Sequence, residues 1–419
     1  MKAAPADFAV LGGPPEFAEP LMVGRPALPD RDELLNRIGA VLDSGQLTND
    51  GPVVREFEAA IAEYLNVRHA VAVCNGTMAL QIMLKAAGLT GEVIVPSLTF
   101  VATAHAVEWL GLTPVFADVD PHSQTLDAAS ISKCLSDRTS AILAVHLWGN
   151  LCDAERLQEL ADRHGLQLLF DASHAFGCHD GQRLAGSFGG AEAFSFHATK
   201  VMHCIEGGAI TTNDERLAER ARLMRNFGIT GLSSIESAGT NGKLNELNAA
   251  AGLCGLSMLP QIIERNRQNL ASYQTVLQPL PGIELMQVMP AEQTNAQYVV
   301  AEVGPDFGMS RDDLLAVLRA EGIFARSYFN PGCHNAEPYA GHRKHQPIQL
   351  PVTERLLRTL IQLPTGLQVD AAQIARIGSI LQSARKWSSE LKRALATTPP
   401  EWHPHDPAAP RDPSWQKVA

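Results

Sequence analysis

The sequence lacks the features that would direct a protein to a membrane, a secretory route or a nucleic acid. No apolar run approaches the roughly eighteen residues that a membrane-spanning helix needs. Residues 1–20 hold a single lysine and no apolar stretch typical of a signal peptide. The formal net charge of -11 argues against a nucleic-acid-binding surface. We therefore expect a cytoplasmic protein with neither a membrane nor a nucleic acid as partner.

Paired cysteines are also missing. The seven cysteines are scattered, odd in number and never spaced as Cys-x-x-Cys. They are expected to be reduced thiols that pack as small hydrophobic residues, and no metal site is predicted. No internal repeat is present either. The length of 419 residues favours one large domain with a smaller one.

Apolar segments alternate along the chain between strand-like and helix-like patterns. This alternation predicts right-handed crossovers and a mostly parallel sheet between helices, hence the α/β class. The expected strands are 70–73, 93–95, 113–117, 141–145, 167–170, 193–196 and 208–211, and the expected helices are 30–43, 53–65, 77–87, 101–110, 126–135, 154–164, 217–225, 243–258 and 261–277.

The chain divides by pattern into four parts. Residues 1–24 form an N-terminal extension, 25–260 the large domain and 261–392 a smaller α/β C-terminal domain. Residues 393–419 are rich in proline, with six between Ala396 and Ala419, and have little apolar periodicity. We expect this tail to be disordered.

Three loops are predicted to lie at the carboxyl end of the sheet, where helix N-termini expose free N–H groups to ligands. Gly76 and Thr77 follow a strand and open a helix, which suits an anion or a plain capped helix. Asp171 ends an apolar strand and is either a cap or a carboxylate paired with a protonated heterocycle. Lys200 lies in a short loop beside Ser195, where partial burial would free its amine for carbonyl chemistry.

Together these loops match the needs of pyridoxal 5'-phosphate (PLP). Its phosphate requires N–H donors and a helix N-terminus, its pyridine nitrogen requires a carboxylate, and its aldehyde requires an amine. The large domain is accordingly expected to bind PLP.

The sequence also resembles the DegT-type sugar aminotransferases, a branch of the aspartate-aminotransferase-like (fold type I) PLP enzymes. The resemblance runs from about Arg25 to Gln382. Its marks are SGQLT at 44–48, GP at 51–52, NGTMAL at 75–80, PSLTF at 96–100, DASH at 171–174, HATK at 197–200, EGGA at 206–209, RNFG at 225–228, GTNGK at 239–243, LPVTER at 350–355 and LP at 363–364.

The resemblance implies three catalytic residues. Lys200 would form a Schiff base with PLP and later carry a proton between the substrate carbon and the cofactor. Asp171 would pair with the pyridine nitrogen, and His174 would reach the phenolic oxygen.

It also implies how the cofactor is held. Gly76, Thr77 and Ser195 would bind the phosphate, while Phe100 and Ser173 would lie against opposite faces of the ring. Asn226 and Lys243 match positions that, in this family, reach into the active site of a neighbouring subunit. A homodimer with two shared sites is therefore implied.

The implied reaction is a two-stage transamination through pyridoxamine 5'-phosphate. L-Glutamate would be the amino donor and a keto sugar nucleotide the acceptor. Because that acceptor carries a diphosphate, an acidic protein needs a local polar or basic rim to bind it. The candidates for a positive rim are Arg25, Arg326, His334 and Lys243, and each could equally be an ordinary surface residue. Thr48 is a further candidate for substrate binding.

The lysine segment departs from the common family pattern. His197-Ala198 precedes the lysine where many members have an aromatic-Pro pair, and Val201 follows it in place of Asn. This form resembles the subset acting at C4 of dTDP-4-keto-6-deoxyglucose. Met202, His203 and Cys204 also differ, which predicts an altered wall facing the sugar.

Several alternatives stay open. The substrate could be aminated at C3, or could be a cyclic ketone of aminocyclitol assembly. A related dehydratase branch has His in place of the lysine, and the presence of Lys200 disfavours it. A regulatory protein that merely retains PLP would be expected to lose Lys200, Asp171 or Asn226, and all three are present.

Overall fold

The computed structural model describes residues 2–286, 288–340 and 349–397. The helices of this part of the chain are α1 (Arg31–Ser44), α2 (Pro52–Leu65), α3 (Gly76–Ala86), α4 (Ala102–Trp109), α5 (Ala128–Cys134), α6 (Ala154–His164), α7 (Glu215–Arg225), α8 (Glu246–Leu277), α9 (Arg311–Ala320), α10 (Pro351–Thr359), α11 (Ala371–Lys386) and α12 (Ser388–Thr397). Its strands are β1 (Leu21–Met22), β2 (His69–Val73), β3 (Glu92–Pro96), β4 (Thr113–Ala117), β5 (Thr139–Val145), β6 (Gln167–Asp171), β7 (Ala191–Ser195), β8 (Gly208–Thr212), β9 (Ile229–Gly231), β10 (Ser234–Ile235), β11 (Ile283–Leu285), β12 (Val299–Val303), β13 (Ile323–Phe324) and β14 (Leu360–Leu363).

The central sheet has seven strands in the order β2-β8-β7-β6-β5-β3-β4. Only β8 runs against its neighbours in this sheet, pairing antiparallel with both β2 and β7. The other pairs are parallel, so the carboxyl ends of β2, β3, β5, β6 and β7 lie at one edge. The predicted α/β class with a mostly parallel sheet is confirmed.

Helices cover both faces of this sheet, as the alternation predicted. One face packs against α3, α4 and α7, and its core includes Val71, Leu80 and Val107. The other face packs partly against α2 and the start of α8 around Phe57 and Phe194. Because the strands are buried from both sides, they consist of nearly continuous apolar residues.

Helix starts agree with short polar caps in the sequence. The Asp30 carboxylate accepts the backbone N–H groups of Asp32 and Glu33 at 3.0 and 2.9 Å, which begins α1. The Asn75 side chain accepts Met78 N–H at 2.8 Å and begins α3. Each cap satisfies a donor that the first turn of a helix leaves free.

The prediction of separate helices at 243–258 and 261–277 is wrong. The structure has one helix, α8, of 32 residues with Pro260 inside it. A proline in a helix interior costs roughly 3 kcal/mol, whereas each fully buried large apolar side chain contributes about 1.5–3 kcal/mol. Leu259 packs into the core beneath the central sheet, and Leu270 and Tyr273 pack into the C-terminal core. Burial on both sides of Pro260 therefore outweighs its cost.

The C-terminal third forms a second, antiparallel sheet in the order β11-β12-β14, here called the small sheet. Helices α9 and α11 and the end of α8 share its apolar core. The first residues of the chain join the same core: Phe8 and Phe17 are buried in it, and β1 pairs with β13.

The proline-rich tail expected at 393–419 begins inside a helix. Residues 393–397 form the end of α12, where Leu395 is buried. The rest of that segment lies outside the described residues. Among the helices that the structure does describe, each is too short or too polar to cross a lipid bilayer.

Candidate active site

A cavity of about 380 Å³ opens where the carboxyl edge of the central sheet faces the small sheet. This volume is typical of cofactor and small-molecule sites. Two sets of residues form much of its lining. The sheet-edge wall comprises Gly76, Thr77, Phe100, Asp171, Ser173, His174, Ser195 and Lys200, and the C-terminal wall comprises Gln297, Tyr298, Arg326, Tyr328, Phe329 and Gln362.

Lys200 lies in the loop between β7 and β8, where its backbone N–H donates to His197 O at 2.9 Å. Its side chain is half-buried and lines the cavity. Burial lowers the pKa of Lys200 to about 8, although the nearby Asp171 charge raises it. Roughly a tenth of this lysine is therefore neutral and nucleophilic at pH 7, far more than for an ordinary lysine.

Asp171 ends β6 and is 5% exposed at the floor of the cavity. Its Oδ1 accepts Ser173 N–H at 3.1 Å and Ser173 Oγ–H at 2.6 Å, and its Oδ2 accepts Thr103 Oγ–H at 2.8 Å. A carboxylate has about four acceptor positions. Three are filled by these donors, so one remains for a protonated group that enters the cavity.

Gly76 and Thr77 begin α3, and neither backbone N–H has a hydrogen-bond partner among the described residues. Ser195, the last residue of β7, lies directly against this helix start. A Cβ on Gly76 would lie 2.6 Å from Ser195 Cβ and 3.0 Å from its Oγ. Glycine is thus required for this approach, which places two free N–H groups beside two hydroxyls, a donor set suited to a phosphate.

His174 is held by a neighbouring tryptophan. Its Nδ1 accepts the backbone N–H of Trp148 at 3.4 Å, and the two rings stack with centroids 5.5 Å apart. Burial lowers the pKa of His174 well below its ordinary value, and the charge of Lys200 lowers it further. The imidazole is therefore neutral, and since Nδ1 is an acceptor, its hydrogen is on Nε2 and can be donated.

The remaining predicted cofactor contacts also reach the cavity. Phe100 presents a ring that is 56% exposed, and Ser173 follows Asp171 at the floor. Of the predicted substrate-binding residues, Arg25 and Arg326 lie in the lining as well.

Four predicted residues are not brought to the cavity within one chain. Asn226 and Lys243 line a separate depression of about 330 Å³, together with Asp50 and Arg225. Thr48 is exposed and lines neither cavity. His334 is 3% exposed, and its ring contacts Ser97 Oγ and lies 3.8 Å from Glu354.

The prediction that residues 202–204 form an altered wall facing the sugar is wrong. Met202, His203 and Cys204 are buried, and none of them lines the cavity. Met202 and Cys204 pack into the core beneath the sheet, and His203 Nε2 lies 2.9 Å from Ala27 O. Apolar burial turns this segment inward, away from the ligand side.

Sequence reasoning missed most of the C-terminal wall. Tyr298 Oη lies 3.4 Å from Lys200 Nζ, and its ring is 4.4 Å from that of His174. Phe329 stacks on Trp148 with centroids 5.0 Å apart and ring planes 4° apart. Tyr298 and Phe329 belong to no motif around a catalytic residue. Only their positions in the chain, directly before β12 and shortly after β13, could have indicated them.

The residues present fit PLP. The cavity offers a phosphate cradle at Gly76, Thr77 and Ser195, one open acceptor position on Asp171 and a low-pKa amine at Lys200. Each matches one functional group of that cofactor.

Comparisons with known proteins agree with this site. The chain is 36% identical to a Shigella dysenteriae dTDP-4-amino-4,6-dideoxy-D-glucose transaminase, over 77% of this chain and 88% of that protein. It is 37% identical to a Streptomyces venezuelae dTDP-3-amino-3,4,6-trideoxy-alpha-D-glucose transaminase, over 85% of this chain and 92% of that one. The crystal structure of DesI in the presence of its TDP-sugar product superposes with a TM-score of 0.89 at 46% identity, covering 94% of this chain and all (100%) of that one.

The family profile of the DegT/DnrJ/EryC1/StrS aminotransferases matches residues 29–382. The match includes every residue of the sheet-edge wall, and members of this family are PLP-dependent enzymes. The chain therefore belongs to the DegT/DnrJ/EryC1/StrS aminotransferase family.

Proposed function

We propose that this aminotransferase transfers the amino group of L-glutamate to C4 of dTDP-4-keto-6-deoxyglucose, with PLP bound at Lys200. The observation that carries this proposal is the meeting of Lys200, Asp171 and the free N-terminus of α3 in one cavity. When bound, PLP withdraws electrons from the carbon that loses a proton during transamination.

Asp171 is the proposed partner of the pyridine nitrogen. Two hydroxyls and one N–H hold its carboxylate in place, and the position that they leave open suits a charged N–H donor. A buried carboxylate paired in this way keeps the ring protonated, which maintains its electron-withdrawing character.

His174 and Lys200 are the proposed proton-handling groups. The neutral His174 donates from Nε2, so it can hydrogen-bond a phenolic oxygen without adding charge. Lys200, with a pKa of about 8, both accepts and releases a proton near neutral pH. General acid–base catalysis is most effective when the pKa of the group lies close to the working pH.

The nucleotide-sugar assignment draws on the relatives and on the rim of the cavity. One relative is named for a 4-amino sugar and another for a 3-amino sugar, while the DesI structure was determined in the presence of its TDP-sugar product. Arg25 and Arg326 add positive charge to the lining of this acidic protein, which suits a diphosphate. Amination at C3, or of a cyclic ketone, is the alternative.

A homodimer is the proposed working form. Asn226 and Lys243 line a depression outside the cavity of their own chain, next to exposed apolar side chains on β9 and β10, before β9 and in the turn between the two strands. These apolar residues are Phe227, Ile229, Leu232 and Ile235. Contiguous exposed apolar residues mark a protein interface, and a second copy of the chain would cover them and receive Asn226 and Lys243.

A half-reaction screen tests the function. PLP-loaded protein should have a visible absorption band that L-glutamate removes. Adding dTDP-4-keto-6-deoxyglucose should restore it faster than a 3-keto isomer or a cyclitol ketone does. Lys200→Ala, the control, should not complete the cycle. Restoration by the 3-keto isomer alone would contradict C4 amination, and failure of L-glutamate to change the band would contradict the proposed donor.

A further inference from the structure

Lys200 has a hydrogen-bond partner on the opposite wall of the cavity. Its Nζ lies 3.4 Å from Tyr298 Oη, and no other hydrogen bond of Nζ is formed within the described part of the chain. Tyr298 directly precedes β12 of the small sheet, whereas Lys200 follows β7 of the central sheet. The contact therefore links Lys200, the proposed proton carrier, to the segment that leads into the small sheet.

The ring of Tyr298 is fixed in place. It is 9% exposed, its centroid lies 4.4 Å from that of His174, and Trp148 meets it edge-on at 5.3 Å. It also belongs to the same buried apolar cluster as Val300 and Leu360. The hydroxyl consequently occupies a position that the surrounding packing determines, rather than one that the lysine determines.

The hydroxyl suits a lysine that changes its protonation state. Burial raises the pKa of Tyr298 above its ordinary value, so the group stays a neutral O–H. A neutral hydroxyl accepts a hydrogen bond from an ammonium and donates one to an amine, whereas a carboxylate only accepts. An ion pair at the same place would favour the ammonium strongly and oppose release of the proton.

We propose that Tyr298 is a positioning residue for Lys200, holding its nitrogen in the cavity in both protonation states. During turnover a proton would bond to Lys200 Nζ and later leave it, while the Tyr298 O–H bond stays intact. This inference rests on the proposed function of Lys200 as the proton carrier.

The test compares Tyr298→Phe with Tyr328→Phe. The first removes only the hydroxyl that contacts Lys200 and keeps the packed ring, so the fold is expected to persist, as thermal unfolding will verify. The second removes a hydroxyl in the same cavity that contacts Arg326 instead.

The first measurement uses cofactor-free protein. Lys200 is modified by limited reductive methylation at a series of pH values, and its extent of reaction is read by peptide mass spectrometry. Both forms of the lysine lose a hydrogen bond in this variant, but the charge-assisted bond of the ammonium is the stronger one, so the pKa of Lys200 should fall below about 8. At pH 7 Tyr298→Phe should therefore react roughly three- to tenfold faster, because one pKa unit changes the amine fraction about tenfold. Tyr328→Phe should react like the unaltered protein.

The second measurement uses PLP-loaded protein and α-deuterated L-glutamate. In Tyr298→Phe, kcat should fall roughly tenfold or more with KM little changed, and the deuterium isotope effect should rise, because a misplaced base slows proton transfer. An unchanged Lys200 titration and an unchanged isotope effect would overturn the proposal. If the proposed function itself is wrong, the unaltered protein will already fail to react with L-glutamate, which separates the two failures.

Discussion

The two walls of the active-site cavity are built differently. In the sheet-edge wall the reactive groups end strands or begin a helix: Asp171 ends β6, Ser195 ends β7 and Gly76 begins α3. Their positions follow from the hydrogen-bonded register of a parallel sheet. In the C-terminal wall, aromatic packing sets the positions, as in the stack of Trp148 on Phe329.

This difference separates two tasks. Groups tied to the rigid sheet edge are the ones proposed to supply the chemistry, where a reacting atom tolerates little displacement. Aromatic and arginine groups of the C-terminal wall are the ones proposed to hold the lysine and the substrate. Substitutions in the sheet-edge wall should therefore reduce kcat or the affinity for PLP. Those in the C-terminal wall should raise KM for the substrate, except at Tyr298, where loss of the hydroxyl should reduce kcat through Lys200.

The largest effect is expected from Asp171→Asn. It preserves volume but replaces the charge that stabilises a protonated ring, so kcat should fall about 10³-fold in steady-state assays. The matched control is Asp118→Asn, a buried carboxylate outside the cavity that accepts Thr353 N–H at 2.8 Å. It should lower the free energy of unfolding by about 1–3 kcal/mol and leave kcat of the folded protein unchanged. Equal kcat values for the two variants would contradict the proposed role of Asp171 as the partner of the pyridine nitrogen.

Gly76→Ala should have the next largest effect. The new methyl group would meet Ser195 Cβ at 2.6 Å, and such overpacking costs roughly 1–3 kcal/mol. The phosphate cradle should open, weakening PLP binding about tenfold to a hundredfold in equilibrium titration. Gly39→Ala is the control, since a Cβ there meets nothing within 4 Å. Unaltered PLP affinity in Gly76→Ala would show that the phosphate binds elsewhere.

Arg326→Gln should have the smallest effect and should sharpen the division of tasks. Charge-assisted hydrogen bonds contribute about 1.5–3 kcal/mol, so KM for the sugar nucleotide should rise roughly tenfold or more with kcat nearly constant. Arg376→Gln, which alters an arginine paired with Glu16 outside the cavity, should change neither constant. A fall in kcat at constant KM would assign Arg326 to the chemistry instead.

Much of the sheet-edge wall could be predicted from sequence. A short apolar strand ending in Asp171, a Gly-Thr helix start and a loop lysine are local patterns, and the parallel sheet brings them to one edge. The interiors of the strands and helices were predicted within a few residues for the same reason. Local pattern and tertiary structure agree in this part of the chain.

Prediction was poorer where distant contacts decide the structure. Pro260 signals a helix break, but burial on both sides of it keeps α8 continuous. The segment at 202–204 was predicted to face the sugar, but apolar packing turns its side chains into the core. Tyr298 contacts Lys200 across 98 positions of sequence, and no local pattern encodes such a pairing.

The most direct test of the account is where the cofactor attaches. PLP-loaded protein would be reduced with borohydride, digested, and the peptides mapped by mass spectrometry. We predict a single modified peptide, with the cofactor on Lys200. Modification of any other lysine, or unchanged labelling in Lys200→Ala, would contradict the central claim.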